Sequence, residues 1–338
     1  MSGLSEFNPP PTMNISQILS SFELAASRKL AHTTEQCYRT WICKFLDFLS
    51  SAKARQIEKS ETKIEVFLSG MAREDYSSVS QNQAFNAILF LYRHVFQKDL
   101  SGIDALRCRK KTRERYTPTE AEVLAMLSKL RNSTLYNIRL AGALSYACGL
   151  RVSECCQLRI KDFDLERMVL TVWEGKGDKD RRVSIPRILE PAIRKHLARA
   201  KALAEIDIAS GQPVQLPGRM DIKSPRTQFD PEWFFIFPSQ TPCAHPRTGK
   251  IVRWCMSPEV LQRAVKAAGR EAGVTSRLTP HCLRHAYCSH LLDRGENINR
   301  VAEAMGHTDI RTTSGYGRKS CEEMRSPLDT IIQFQRTA

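Results

Sequence analysis

The chain reads Thr279-Pro-His-Cys-Leu-Arg-His-Ala-Tyr-Cys-Ser-His-Leu-Leu292 near its C-terminus. The threonine and proline at the start are typical of a helix N-cap and of a first helical turn. Spacings of three and four residues place His281, Arg284 and His285 on one face of this predicted helix. The apolar side chains that we expect to fix the helix in a core are Leu283, Tyr287, Leu291 and Leu292.

Two glycine-flanked segments after this helix carry further reactive groups. A predicted helix from Ile298 to Met305 ends at Gly306, so that His307 begins the next turn, and Tyr316 lies between two glycines. Guanidinium groups bind phosphate through paired hydrogen bonds, imidazoles transfer protons near neutral pH, and a phenol can attack phosphorus. The set predicts phosphate chemistry without a metal or cofactor, and DNA is the favoured substrate.

A zinc site is the main alternative for this region, because two histidines four residues apart on a helix have a ligand spacing. Its candidate ligands would be His281, Cys282, His285, Cys288 and His290. Against it, no glutamate follows His281 to act as a base, and the charge of Arg284 would oppose a divalent ion. The acidic residues also do not cluster as two magnesium ions would require.

The positive charge is concentrated in the later part of the chain. The formal net charge is +15, and residues 1–106 hold 11 basic and 11 acidic residues, whereas residues 107–338 hold 40 and 25. A localised basic field favours a polyanionic partner such as nucleic acid over the alternative of general solubility charge. The 11 cysteines have no framework spacing, and no signal peptide or membrane span is evident. We therefore expect a bacterial cytoplasmic, nucleoid-associated protein with reduced thiols and no membrane partner.

Length and apolar content predict two domains within the 338 residues. The expected division is a flexible arm (1–13), a helical domain (14–100), a basic linker (101–116), a catalytic domain (117–325) with an insertion (205–232), and a tail (326–338). The tail could dock on a neighbouring subunit or pack back on its own subunit.

Capping boxes predict where helices of the first domain begin. Thr33 with Gln36 is expected to open one helix, and Ser80 with Gln83 another. Their aromatic residues are interpreted as core rather than as platforms for bases. The linker holds six basic residues between Arg107 and Arg115. It is either a solvated hinge or, as we favour, a strap along DNA phosphates that includes Arg109, Lys110 and Lys111.

The second domain is predicted to be mainly helical with a small antiparallel sheet. Thr117-Pro118 is expected to start a helix, and a buried helix from Ile138 stops at Gly149, so that Arg151 follows a helix end. Residues 168–174 and 181–185 form a predicted β-hairpin with Lys176 at its tip. The insertion at 205–232 shows no convincing regular structure. Ser257-Pro258-Glu259 is expected to cap a further helix that ends near Gly273.

Five motifs together resemble the tyrosine recombinases of the phage-integrase type. They are Gly149-Leu-Arg-Val-Ser-Glu154, Glu174-Gly-Lys-Gly177, His281-x-x-Arg284-His285, Gly306-His307 and Tyr316. The resemblance implies an all-helical N-terminal core-binding domain of the SAM-like type and an α+β catalytic domain, which together form a clamp around DNA. It also implies a homotetramer in the synaptic complex.

The resemblance implies a role for each site residue. Arg151 and Arg284 would hold the nonbridging oxygens of the scissile phosphate while Tyr316 attacks in line and His281 accepts its proton. The remaining roles fall to Lys176, which would protonate the leaving 5′ oxygen, and His307, which would donate to a phosphate oxygen. Glu154 either orients Arg151 or is merely exposed, and His285 and His290 are interpreted as structural.

Within this family, residues 81–93 and the insertion before Phe237-Pro238 resemble integron integrases. That likeness implies folded single-stranded cassette sites as partners beside duplex DNA. Trp233 either stacks on an extruded base or begins a buried strand. Trp254-Cys255 departs from an expected His-His pair, which affects expectations for cassette recognition. A phage or transposon recombinase, a type IB topoisomerase and a DNA-binding protein that no longer cleaves are the alternative functions.

Overall fold

The structure is a computed structural model that describes residues 13–108, 116–132, 137–175, 179–218, 220–246, 248–274 and 278–306. The chain divides into two compact units, Met1–Glu114 and Arg115–Ala338. The predicted arm, apart from Met13, and the predicted tail lie outside the described residues, as do residues 109–115 of the linker. Among the helices that are described, none is long and apolar enough to cross a bilayer.

The first unit is built from five helices in the described residues. They are α1 (Ile15–Lys29), α2 (His32–Leu49), α3 (Ala52–Arg55), α4 (Ser60–Arg73) and α5 (Ser78–His94). Phe22, Phe45 and Tyr92 are buried in its core, and the ring centroids of Phe45 and Tyr92 are 6.4 Å apart. The predicted helical domain and the core position of Phe45 and Tyr92 are therefore confirmed.

Both predicted capping boxes of this unit are wrong. Helix α2 begins at His32, and its N-cap, Ala31, makes no side-chain cap bond. Only Leu30 and Ala31 separate it from α1, so Thr33 already lies inside the helix. In α5 the cap is Ser77, whose hydroxyl accepts from the backbone N–H of Ser80 at 3.0 Å. A run of serines offers several caps, and the sequence alone does not select between them.

A buried glutamine fastens the last described residues of the first unit. The Gln81 side-chain amide donates to the carbonyls of Leu68 at 2.9 Å and Leu106 at 2.7 Å. Its oxygen accepts from the backbone N–H of Cys108 at 3.0 Å. These bonds use both donors of the buried amide and occupy its oxygen. The part of the predicted linker up to Cys108 is therefore held against α4 and α5.

The second unit contains eight further helices and five short strands in its described residues. The helices are α6 (Glu120–Lys129), α7 (Ile138–Ala147), α8 (Val152–Cys156), α9 (Glu190–Ala209), α10 (Met220–Lys223), α11 (Pro258–Glu271), α12 (Pro280–Asp293) and α13 (Ile298–Met305). The strands are β1 (Phe163–Asp164), β2 (Val169–Gly175), β3 (Lys179–Ser184), β4 (Cys243–Ala244) and β5 (Ile251–Val252). The predicted class, mainly helical with a small antiparallel sheet, is confirmed.

The strands form two antiparallel sheets, one ordered β1-β2-β3 and one made of β4 and β5. In the larger sheet Val169 pairs with Ser184 and Leu170 with Val183, and the register shifts between Val172 and Gly175. The alternating side chains of β3 put Arg181 and Val183 on the buried face. The predicted hairpin is confirmed, while Lys176 lies outside the described residues.

Gly149 makes the sharp turn that ends α7. Its φ is +59°, and a Cβ at this position would lie 2.5 Å from the ring of Tyr287. Only glycine meets both demands without strain. The predicted end of this helix is thus confirmed, but the start of α6 is not Thr117. Thr119 caps that helix through a capping box with Glu122, two residues later than predicted.

The predicted insertion is more regular than its composition suggests. Helix α9 continues to Ala209, and α10 and the 3₁₀ helices Pro225–Phe229 and Pro231–Trp233 follow. The expectation of no regular structure at 205–232 is therefore wrong. The reason is tertiary, since Asp207 in the last turns of α9 is buried and bonds Arg253 at 2.7 Å and 2.6 Å. This ion pair keeps the end of the helix against the core.

The core of this unit centres on α7 and α12. Leu283, Tyr287 and Leu291 are buried as predicted, whereas Leu292 is 36% exposed. The predicted N-caps Ser257 of α11 and Thr279 of α12 are both confirmed by side-chain bonds to the helix backbone. Helix α12 therefore has a defined start and packs in the core, and this fixes the positions of the site residues on it.

Acid is expected to destabilise the second unit through His196. This side chain is buried on α9 against the ring of Phe237, and burial lowers its pKa to about 4. Because the folded-state pKa lies below the unfolded value of about 6.5, the fold prefers the neutral ring. Stability is therefore full above pH 6.5 and decreases as the pH falls toward 4, by up to about 3 kcal/mol.

Urea unfolding at a series of pH values tests this expectation. His196→Gln cannot titrate, so its free energy of unfolding should depend less on pH between 7.5 and 4.5 than that of the unchanged protein. Parallel curves for the two proteins would mean that His196 is not the group that titrates.

Candidate active site

Arg151 lies at the N-cap of α8, directly after the turn at Gly149 and Leu150. Its backbone N–H donates to Glu154 Oε2 at 2.8 Å, and its Nη1 donates to Glu154 Oε1 at 2.5 Å. The Arg151 side chain remains 24% exposed. The Arg151 side chain is thus held by the Glu154 carboxylate on its buried side, and the rest of it faces solvent.

Arg284 reaches the same carboxylate from α12. Its Nη1 lies 3.5 Å from Glu154 Oε2 and donates to the carbonyl of Gly149 at 2.7 Å, while Nη2 donates to the carbonyl of Met305. The side chain is only 2% exposed. The two arginines predicted to share one phosphate therefore converge on one carboxylate, although they are 133 positions apart in the sequence.

Arg181 of β3 is the third guanidinium around Glu154. Its Nη1 and Nη2 donate to Oε1 and Oε2 at 3.1 Å and 2.5 Å, and its Nε donates to the carbonyl of Ala304 at 2.8 Å. Glu154 is only 8% exposed, so the alternative that it is an exposed surface residue is wrong. The side chain instead lies where it can orient Arg151.

The charges of this cluster favour an anion. Burial by itself would raise the pKa of Glu154, but the hydrogen bonds and charge of Arg181 and the hydrogen bonds of Arg151 outweigh burial and bring it to about 2. Burial and then the charge of Arg151 lower the pKa of Arg284 to about 10. With these pKa values Glu154 and Arg284 are ionised near neutral pH, and three guanidiniums around one carboxylate carry a formal net charge of +2. Such a field stabilises a phosphate and the charge that develops on it.

The histidines of α12 fall into two environments. His281 is exposed in the first turn, and its ring centroid lies 4.5 Å from that of His285. His290 is buried and its Nδ1 shares a 2.8 Å hydrogen bond with the hydroxyl of Tyr146. The position of His290 agrees with a structural role. Among the side chains that the structure describes, no three metal-ligating groups come together as a metal site would need.

The other predicted site residues lie outside the described residues, and they are Arg109, Lys110, Lys111, Lys176, His307 and Tyr316. Their nearest described neighbours are nevertheless informative. Strands β2 and β3 flank Lys176, and Gly306 ends α13 with a φ of +60° directly before His307. The carbonyls of Ala304 and Met305 accept bonds from two arginines of the cluster, so the chain leaves α13 beside it.

Trp233 is itself half-buried and lies at the end of a 3₁₀ helix rather than in a buried strand. Its ring centroid lies 4.1 Å from Nζ of Lys161, and that ammonium is 4.2 Å from the centroid of Trp173. The guanidinium of Arg159 donates to the Trp233 carbonyl. The strand alternative is therefore wrong. The indole lies directly after the insertion, next to the cationic groups of Lys161 and Arg159.

Sequence reasoning missed Arg181 and assigned it only to the second strand of the hairpin. A signal was present, because the alternation of β3 places this charged residue on the same face as Val183. A buried guanidinium needs a partner, so an inward arginine predicts a buried acid nearby. Which acid it meets depends on tertiary structure.

Two family models match the chain. One is described as the phage integrase family and matches residues 114–323, and the other as the N-terminal SAM-like domain of phage integrases and matches residues 19–102. Together they cover both units in the order in which the sequence runs.

Curated relatives and solved structures agree with these matches. An integrase/recombinase of Escherichia coli is 37% identical over 304 residues, which is 88% of each chain. A tyrosine recombinase of Thermosipho africanus is 27% identical over 305 residues, covering 87% of this chain and 91% of the other. The fold is similar to a XerH site-specific recombinase bound to its difH substrate, with a TM-score of 0.58, 19% identity and coverage of 88% and 79%.

Proposed function

Because the chain belongs to the phage integrase family and is a site-specific recombinase of the tyrosine class, we propose that it cuts and rejoins DNA through a 3′-phosphotyrosine at Tyr316. The observation that carries this proposal is the convergence of Arg151 and Arg284 on Glu154. A buried cluster with surplus positive charge suits a phosphodiester that gains charge as it becomes pentacoordinate.

The proposed reaction is a transesterification. The Tyr316 oxygen attacks phosphorus and its proton passes to His281, since a phenol with a pKa near 10 needs a base or nearby cations to react. The bond to the 5′ oxygen breaks, and Lys176 supplies the proton to that oxygen. His307 donates to a nonbridging oxygen beside the two arginines. A 5′ hydroxyl of another strand reverses the sequence and restores the phosphodiester without ATP.

Arg151 and Arg284 have different roles in this proposal. The Arg151 side chain is partly exposed, which supports a direct contact between its guanidinium and the phosphate. Arg284 is buried and donates to the carbonyls of Gly149 and Met305. In this proposal its positive charge stabilises the phosphate from the protein interior. An arginine fork suits the two nonbridging oxygens better than a single ammonium would.

The finer proposal is an integron integrase that integrates or excises gene cassettes. It is supported by the likeness of residues 81–93 and of the insertion before Phe237, and by the half-buried Trp233 next to Lys161. An indole beside cations is suited to stack on an extruded base. In the same proposal Arg109, Lys110 and Lys111 follow the phosphate backbone, and four subunits assemble on DNA at the nucleoid.

A trapping experiment with two substrates tests both levels of the proposal. One substrate is a folded bottom strand of a cassette site and the other a duplex core site, each nicked so that the cleaved end diffuses away. We expect a covalent adduct on the folded strand, unchanged in EDTA because none of the proposed groups is a metal. An adduct on duplex DNA alone would support a phage or transposon recombinase instead.

Three further outcomes would contradict the broader proposal. Relaxed plasmid without recombinant junctions would indicate a topoisomerase. Binding to both substrates without any adduct would indicate a DNA-binding protein that does not cleave. Loss of cleavage in EDTA would bring back a metal-dependent mechanism.

A further inference from the structure

Arg181 is fully engaged inside the protein. All three of its guanidinium nitrogens donate hydrogen bonds, two to Glu154 and one to the carbonyl of Ala304. Its side chain is only 4% exposed. A guanidinium with this geometry has no nitrogen left without a protein partner, so it is not placed to bind a phosphate itself.

The partners of Arg181 belong to three separate parts of the site. Arg181 lies on β3, Glu154 lies on α8 next to Arg151, and Ala304 lies in the last turn of α13. One side chain therefore connects β3, α8 and the end of α13. Bidentate pairing fixes the direction of a guanidinium as well as its distance.

The end of α13 is shaped around this side chain. Gly306 has a φ of +60°, and a Cβ there would lie 3.2 Å from Cδ of Arg181 and 3.4 Å from its Nη1. The glycine thus permits both the left-handed turn and the close approach of the arginine. The conformation at Gly306 therefore fits the end of α13 closely against Arg181.

We propose that Arg181 is a positioning residue that orients Arg151 through Glu154 and holds the C-terminal end of α13 through the Ala304 carbonyl. This inference rests on the proposed function, because it concerns the same reaction. Arg181 touches no substrate atom in this scheme. It acts by holding Glu154 in the one orientation in which that carboxylate bonds both the backbone and the side chain of Arg151.

Single-turnover cleavage of a nicked substrate at saturating DNA tests the inference. Arg181→Met should lower the cleavage rate constant about 30-fold or more, and Arg181→Lys about tenfold, because an ammonium cannot make the paired bonds. Binding to the same DNA should stay within about threefold. The rate constant of bound, folded enzyme does not depend on how much of the preparation is unfolded, so a loss of stability alone cannot mimic the effect.

Arg253→Met is the matched control. Arg253 is also buried, makes two bonds to the carboxylate of Asp207 and donates to the carbonyls of Ser239 and Gln240. It has the chemistry of Arg181 but no contact with Glu154 or α13. Its replacement should lower stability and leave the rate constant within about threefold of the unchanged protein.

A methylphosphonate at the scissile position separates positioning from general damage. This neutral group lacks one charged oxygen, so its cleavage depends less on arginines that are well oriented. The deficit of Arg181→Met should shrink to within about fivefold on this substrate. An equal deficit on both substrates, or rates near normal for both Arg181 variants, would overturn the inference. If the unchanged protein forms no adduct, the proposed function itself fails.

Discussion

Replacing Tyr316 by phenylalanine is expected to abolish the covalent protein–DNA adduct while DNA binding stays within about threefold of the unchanged protein. The substitution removes one oxygen, which is the atom proposed to attack phosphorus, and keeps the ring. No other proposed group can replace it, because a guanidinium or an imidazole has no oxygen with which to form a phosphate ester. Denaturing gels of the nicked-substrate reaction measure the adduct, and gel-shift titration measures binding.

Tyr116→Phe is the control for this substitution. The Tyr116 hydroxyl donates to Glu122 at 2.5 Å next to the start of α6 and has no proposed part in the reaction. This variant should form the adduct at close to the normal rate. An adduct in Tyr316→Phe, or loss of DNA binding in that variant, would mean that the phenol is structural rather than the nucleophile.

Arg151→Ala is expected to lower the rate of strand cleavage by about 100-fold or more. Arg151 is the partly exposed guanidinium of the cluster, and without it Glu154 would keep Arg181 and Arg284 while the phosphate loses its direct contact. The fold should survive, because the side chain is not part of the hydrophobic core. Single-turnover cleavage gives the rate, and urea unfolding verifies the fold.

Arg167→Ala is the matched control for Arg151→Ala. Arg167 also pairs with an acid three residues away, Asp164, at 3.1 Å, but on an exposed turn before β2. Its removal should change the cleavage rate by less than about threefold, because exposed pairs contribute little. Near-normal cleavage in Arg151→Ala would contradict its assignment to the phosphate.

Local sequence signals predict those elements whose ends depend on nearby residues. Ser257 and Thr279 each precede a proline, and this pair of a cap and a first-turn proline leaves one position for the helix to start. Gly306 likewise ends α13 where predicted. At Ser77 and Ser80 two hydroxyls compete for one cap, and the sequence gives no preference.

The insertion shows where local signals fail. Its glycines and prolines predict a loop, yet α9 extends to Ala209 because Asp207 meets Arg253, a residue 46 positions away. That pairing exists only in the tertiary structure. No periodicity in the sequence around Asp207 predicts its pairing with Arg253.

The site was predictable in its residue types and only partly in its geometry. The motifs around Arg151 and Arg284 indicate which groups act, and the family resemblance supplies their expected roles. The convergence on Glu154 and the part played by Arg181 depend on contacts between β3, α8 and α13. Those contacts join residues that no motif connects.

The central claim is that the oxygen of Tyr316 forms the bond to DNA, and mapping of the adduct tests it most directly. The trapped complex is digested with nuclease and trypsin, and the modified peptide is sequenced by mass spectrometry. The tryptic peptide Thr312–Arg318 contains a single tyrosine, Tyr316. We predict a nucleotide linked through phosphate to that tyrosine. A nucleotide on any other residue would contradict the account.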